Sequence, residues 1–263
     1  MSEETLIIDI AADGRATVTL NRPDIHNAFD DHLIQLLTRE LEALDREPSV
    51  RVVVLEAAGK SFSAGADLNW IKRTADYSET ENLTDAKALA GLMKTLHGLS
   101  KPTVAAVQGA AYGGGVGLIA CSDIAIASET AVFSISEVKL GLIPAVISLY
   151  VIAAIGERQA HRYMLSAERF DAGEALRIGL VHLVTAAEGL EAGVDHIVET
   201  LLANGPEAMA ETKKLIAAVA GRPRDDVLIA DTAARIARVR GSEEGRKGVA
   251  AFLEKRKPGW IKE

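Results

Sequence analysis

Two stretches of small residues constrain this chain more than any other feature. Gly59-Lys-Ser-Phe-Ser-Ala-Gly-Ala-Asp-Leu68 follows the apolar run Val50 to Glu56, and Val107-Gln-Gly-Ala-Ala-Tyr-Gly-Gly-Gly-Val-Gly-Leu118 follows the apolar run Thr103 to Val107. Each reads as a buried strand passing through a tight turn into a helix. Such a turn presents backbone N–H groups at a helix N-terminus, where they attract negative charge. Two of them side by side would aim two donors at one oxygen.

The rest of the pattern fits an α/β chain that becomes all-helical. Leu6 to Ile10 and Ala16 to Leu20 read as short strands around a turn. Asp30 or Asp31 can cap a helix to about Arg46, with Leu33, Leu37, Leu41 and Leu44 on one stripe. Thr84 to Leu99 is a further helix, and an apolar helix ends near Cys121. Asp123 to Ala127, Val132 to Ser134 and His182 to Val184 read as short strands. Asp171, with Glu174 three residues on, looks like a capped helix start, and Glu174 reads as a capping residue. From about Ala186 only helices are expected, over roughly 186–203, 206–220, 224–240 and 242–254. The expected organisation is a core over residues 1–200 and a C-terminal helical subdomain over 201–263.

Composition narrows the function. With 263 residues and 48% hydrophobic content, a single large α/β unit can build its core. Aromatics are only 4%, so aliphatic residues must fill it. A net charge of -8 argues against nucleic acid as partner, since phosphate neutralisation needs Lys and Arg. Cys121 is the only cysteine, which fits a reducing compartment. The acidic start lacks signal-peptide character, and Gly or charge breaks the longest apolar runs, so a cytoplasmic protein with no membrane span is expected. The six histidines show no metal-ligand spacing, so no metal is expected.

Other chemistries fit poorly. Gly115-Val-Gly117-Leu-Ile-Ala120 has the form of a dinucleotide fingerprint, but that motif should directly follow its strand, and about seven residues intervene. Ser63 lacks the setting of a serine nucleophile. Taken alone, Glu137 reads as a surface carboxylate capping a helix after Ser134 and Ser136. Asp67 reads as a loop or helix cap, Asp123 as structural, and Tyr112 and Tyr150 as either packing or pocket residues.

The ordered motifs resemble the crotonase, or enoyl-CoA hydratase/isomerase, superfamily. They are Asn21-Arg-Pro23 with Asn27-Ala28, Phe62 to Leu68, Lys101 to Gly109, Gly113-Gly-Gly115, Asp123-Ile, Glu137 with Gly141-Leu-Ile-Pro144, Glu174-Ala175 and Gly179-Leu-Val181. The resemblance runs from about residue 5 to the C-terminus. It implies an α/β fold, a crotonase-like ββα spiral with a C-terminal helical trimerisation region, assembling as a homotrimer or homohexamer. The substrate would be an acyl-CoA, with coenzyme A as part of the substrate and no separate cofactor.

The resemblance also implies roles. The N–H groups of Ala66 and Gly114 would polarise the thioester carbonyl, each worth about 3 kcal/mol. Ala64, Gly65, Ala66, Asp67 and Leu68 would lie along the CoA arm, with Ile25, His26 and Ala28 in the same groove. A C-terminal aromatic and lysine complete the CoA site in related enzymes, and Phe252 and Lys255 are the candidates. Glu137 matches one of two hydratase glutamates; Gly117 stands in place of the other. That departure leaves three alternatives: hydration with one carboxylate, isomerisation of a 3-enoyl-CoA by Glu137 alone, or a non-catalytic CoA-binding paralogue. RNA binding is a fourth, against which the net charge counts.

The first is favoured. The stretch from Glu137 to Ser148 looks like bacterial methylglutaconyl-CoA hydratases of leucine breakdown, making 3-methylglutaconyl-CoA the candidate substrate of a hydro-lyase. Gly117 would then leave room for an acyl carboxylate, which a Glu there would oppose by about 4 kcal/mol at an effective dielectric near 20.

Overall fold

The run Val52-Val-Val-Leu55 is apolar at every position because its strand is covered on both faces, as a parallel strand between two layers must be. In the computed structural model, which describes residues 5–261, Val53 and Leu55 face the main core, while Val52 and Val54 meet Val194 and Val198 of a helix on the far side. This strand, β3 (Val52–Ala57), sits inside a six-stranded sheet ordered β1-β2-β3-β5-β7-β10. Its partners are β1 (Leu6–Ile10), β2 (Arg15–Leu20), β5 (Thr103–Val107), β7 (Ile124–Ser128) and β10 (Leu183–Thr185). Only the β1–β2 pair is antiparallel.

A smaller sheet, ordered β4-β6-β8-β9, stands beside it. It is built from β4 (Ser61–Ser63), β6 (Ala110–Tyr112), β8 (Val132–Ser134) and β9 (Phe170–Asp171). The chain alternates between the sheets: β3 then β4, β5 then β6, β7 then β8. After each pair it turns into helical structure. These turns are α2 (Leu68–Thr74) with α3 (Glu79–Gly98), then α4 (Gly114–Cys121), then a 3-10 turn (Glu137–Leu140) with α5 (Ala145–Ser166). The result is the ββα spiral expected from the motifs.

Local chemistry fixes the helix ends. Asp30 accepts from Leu33 N and starts α1 (Asp31–Arg46), whose buried face is Leu33, Ile34, Leu37, Leu41 and Leu44. The helix expected from Thr84 begins instead at Glu79, because Ser78 and Glu81 form a reciprocal capping box. The strand expected from Val50 starts at Val52, since Val50 N bonds Glu47 O in a turn. Asp171 caps α6 (Ala172–Ile178) by accepting from Glu174 N. Glu174 itself does not cap: its carboxylate takes Arg177 and the Tyr163 hydroxyl. The segment from Ala186 opens with a 3-10 turn (Ala187–Gly189) before α7 (Leu190–Leu202).

Three more helices follow: α8 (Pro206–Val219), α9 (Asp226–Gly241) and α10 (Glu243–Leu253). Polar ties anchor them to the core. Lys213 Nζ reaches Asp123 Oδ2 at 2.5 Å, and that same oxygen accepts from Thr103 N and Oγ1, so Asp123 is structural. Arg51 donates to Asn204 O and Trp260 O. Glu244 accepts from Glu207 N and Ala208 N, satisfying the open start of α8. Among the described residues, no helix is long and apolar enough to cross a membrane.

Candidate active site

Three neighbouring parallel strands of the small sheet, β4, β6 and β8, end on the same side. Each is followed, just past its C-terminal end, by one of the expected site residues: Ala66 after β4, Gly114 after β6 and Glu137 after β8. Parallel strands of one sheet commonly present ligand-binding loops at that edge.

The first turn is held from below. Asn27, fully buried, donates from Nδ2 to Ala58 O and Ser61 O, and its Oδ1 accepts from Arg22 N. Ser63 Oγ donates to Asn27 O. Phe29 then pairs with the turn as a parallel bridge, Phe29 N donating to Gly65 O and Asp67 N to Phe29 O. In this register the Ala66 N–H points away from the bridge. Gly65 has φ +86°, a left-handed conformation that costs least without a side chain. Asp67 caps α2 by accepting from Asn69 N and Trp70 N.

The second turn runs through Gly113, φ +50°, into the first residue of α4. A Cβ on Gly65 would stand 3.1 Å from Tyr112 O and 4.0 Å from Gly113 N, so the two turns are in contact. Among the described residues, neither the Ala66 nor the Gly114 N–H has a protein acceptor. Gly114 also carries the positive end of the α4 dipole. Phe29 packs its ring against Gly114, where a Cβ would stand 2.8 Å from it.

Glu137 completes the edge. A Cβ on Gly113 would lie 3.2 Å from Glu137 Oε1, which puts the carboxylate against the second turn. Glu137 does not cap a helix through its side chain as a surface residue would; Oε2 is buried without a hydrogen-bond partner. Burial pushes its carboxyl above the usual glutamate range, partly offset by the backbone N–H groups of Glu137 and Ser136. A half-buried acid with spare acceptor capacity beside two free N–H donors can exchange protons with a bound substrate.

These residues line one cleft of 560 Å³. Ala64, Gly65, Ala66, Leu68, Gly114 and Glu137 are brought together there. The remaining walls come from α2 and α3 (Trp70, Asp85 and Leu89 among them) and from Leu140 to Ile147. None of those wall residues was assigned a site role from the sequence, although Leu142, Ile143 and Pro144 belong to a motif that carries the resemblance. Ile25, His26 and Ala28 lie outside the lining, on the loop that Asn27 clamps; His26 Nδ1 pairs with Ser61 Oγ at 3.1 Å. Asp67 is taken up by its cap. Phe252 is 81% exposed at the end of α10, and Lys255 follows it with φ +55°; neither lines the cleft. Tyr112 and Tyr150 lie outside it as well; the Tyr150 ring packs on His97.

Gly117 is buried in α4 and does not open into the cleft. A Cβ there would overlap the Ile147 Cγ2 methyl and stand 3.1 Å from Met93 Cε. The room expected for an acyl carboxylate is therefore filled by apolar side chains. Because β-branched Ile147 is stiff, Gly117→Ala should destabilise by about 1–3 kcal/mol through overpacking. In an Ile147→Ala background the same change should become stabilising, by up to about 1 kcal/mol of helix propensity. Thermal unfolding of the four variants reads that reversal, and equal shifts in both backgrounds would contradict the packing argument.

The comparisons agree with this geometry. The family model for enoyl-CoA hydratase/isomerase matches residues 11–263. A solved enoyl-CoA hydratase from Shewanella pealeana is 47% identical, with a TM-score of 0.95 over 98% of this chain and 96% of its own. An enoyl-CoA hydratase/isomerase from Marinobacter aquaeolei is 33% identical, with a TM-score of 0.92 over 98% of this chain and 99% of its own. A Thermus thermophilus protein that carries the name enoyl-CoA hydratase is 34% identical over 92% of this chain and 96% of its own length. With a ββα spiral, two free N–H groups at adjoining turns and a family match over nearly its whole length, this chain belongs to the enoyl-CoA hydratase/isomerase, or crotonase, superfamily.

Proposed function

We propose that this protein is a hydro-lyase that adds water across the C2=C3 bond of a 2-enoyl-CoA. The observation that carries the reading is the buried, half-unpartnered Glu137 carboxylate lying against the Gly113 turn. The thioester oxygen accepts hydrogen bonds from Ala66 N–H and Gly114 N–H. Glu137 takes a proton from a water as its oxygen bonds to C3. The C2=C3 electron pair moves toward the thioester, and its oxygen gains the negative charge that the two donors stabilise. Glu137 then returns the proton to C2, so one water supplies both OH and H. A carboxyl held above its usual range is a stronger base once ionised and a usable acid afterwards.

A second reading rests on Gly117. With no carboxylate at that position, Glu137 could instead shuttle a proton between C2 and C4 and isomerise a 3-enoyl-CoA. Incubation with crotonyl-CoA, 3-methylglutaconyl-CoA and a 3-enoyl-CoA separates the two. Loss of the enoyl thioester absorbance from either of the first two supports hydration. Its appearance from the third, with the first two inert, replaces hydration by isomerisation.

The exposed apolar residues Ile216, Ile229, Ile236 and Val249 on α8 to α10 support assembly into a homotrimer or homohexamer. Light scattering coupled to gel filtration should give three or six copies, and a monomer would contradict this.

A further inference from the structure

The cleft that holds Glu137 contains a second carboxylate. Asp85, on α3, lines it and is half-buried. Its Oδ1 accepts from Trp70 Nε1 at 3.1 Å, and Trp70 is itself buried on α2. Among the described residues no other donor reaches Asp85, although an ionised carboxylate has about four acceptor sites. Burial pushes the Asp85 carboxyl up, which the Trp70 hydrogen bond and Arg73 partly offset and Asp31 reinforces. Arg73 is committed elsewhere, bound to Asp31 at 2.5 Å, and lies outside the lining. Asn82, one turn before Asp85, and Thr74, at the end of α2, share its wall of the cleft. No Lys, Arg or His lines the cleft among the described residues.

A pocket with two carboxylates and no cation has a definite preference. A hydroxyl can donate to Asp85 and gain a charge-assisted hydrogen bond. An acyl carboxylate would be desolvated beside like charges with nothing to offset it. We propose that Asp85 sets the acyl specificity of this site, accepting a hydrogen bond from a hydroxyl on the acyl chain and rejecting a chain that ends in a carboxylate. The inference rests on reading the cleft as an acyl-CoA site. It runs against the 3-methylglutaconyl group suggested by the motif resemblance.

Saturated thioesters test it without requiring turnover. Pentanoyl-, 5-hydroxypentanoyl- and glutaryl-CoA have equal chain length and end in methyl, hydroxymethyl and carboxylate. Titration calorimetry on the wild type should give about 10-fold tighter binding for the hydroxyl than for the methyl, and about 10-fold weaker binding for the carboxylate. Asp85→Asn keeps an acceptor for Trp70 and removes the charge. It should bring the carboxylate penalty below about 3-fold and reduce the hydroxyl advantage. Wild-type binding of glutaryl-CoA as tight as that of pentanoyl-CoA would overturn the proposal. So would an Asp85→Asn change that shifts all three equally, the mark of a merely structural residue. Failure of every thioester to bind would overturn the acyl-CoA reading itself and this inference with it.

Discussion

Replacing Glu137 by Gln is expected to lower kcat for enoyl-CoA hydration by about 10²- to 10⁴-fold, the usual worth of a positioned acid–base group. The amide keeps the volume and loses the proton transfer, so KM should change little. The same variant should be more stable than the wild type at neutral pH. Burial raises the carboxyl in the folded protein, so the folded state binds more protons than the unfolded chain once pH exceeds the ordinary glutamate range. Stability therefore falls as pH rises through that window, and ionised Glu137 destabilises the native state above it. Glu137→Gln removes this cost, and each kcal/mol relieved should raise Tm by about 2–4 °C. The gain should vanish below the ordinary carboxylate range, where both states are protonated. For the wild type, the acidic limb of kcat/KM should lie above that range, since the base must be ionised. A variant with full activity would remove Glu137 from the chemistry, and a lower Tm at neutral pH would contradict the destabilisation by its ionised form.

Ala66→Pro is expected to lower kcat by about 10²- to 10³-fold while leaving the fold intact. The Phe29 bridge leaves this N–H unused. Its two hydrogen bonds use Gly65 O and Asp67 N, so the Ala66 N–H has no structural duty among the described residues. Proline replaces that N–H by its ring Cδ, which removes the donor and crowds the place of the oxygen, and Gly65 before it tolerates the restriction that proline imposes. Circular dichroism should be unchanged and Tm within a few degrees. If the variant folds and keeps its kcat, Ala66 is an ordinary turn residue and does not stabilise an enolate.

How much of this could be read from residues alone follows from the range of the interactions. The two turns that carry Ala66 and Gly114 were legible because closely packed turns force small residues, which leave a visible run of Gly and Ala; the choice of these two residues came from the family resemblance. The α1 helix was legible through the Asp30 cap and the leucine stripe, both local signals. The strands β4 and β6 were not expected, since Ser61–Ser63 and Ala110–Tyr112 are too short to show a period of two. A helix after the first turn was expected without bounds, and the extent of α2 and the first turns of α3 were missed. Their faces meet the cleft and solvent, so they lack a full apolar stripe. The meaning of Gly117 was misjudged for a different reason. Its neighbours Ile147 and Met93 are distant in sequence, and only the folded packing of α4 on α5 and α3 shows that the space is occupied. The covering of the Glu137 carboxylate is equally non-local: the residue is half-buried on a short 3-10 turn, and its Oε2 is enclosed by groups outside that turn.

The account stands or falls on whether water is added under the control of Glu137. The direct measurement is mass spectrometry of the product from crotonyl-CoA, with wild type and Glu137→Gln, in water enriched in heavy oxygen. The account predicts a 3-hydroxyacyl-CoA carrying the heavy oxygen with the wild type, formed far more slowly by the variant. An enoyl-CoA that never gains water, alongside conversion of a 3-enoyl-CoA to its 2-enoyl isomer, would contradict it.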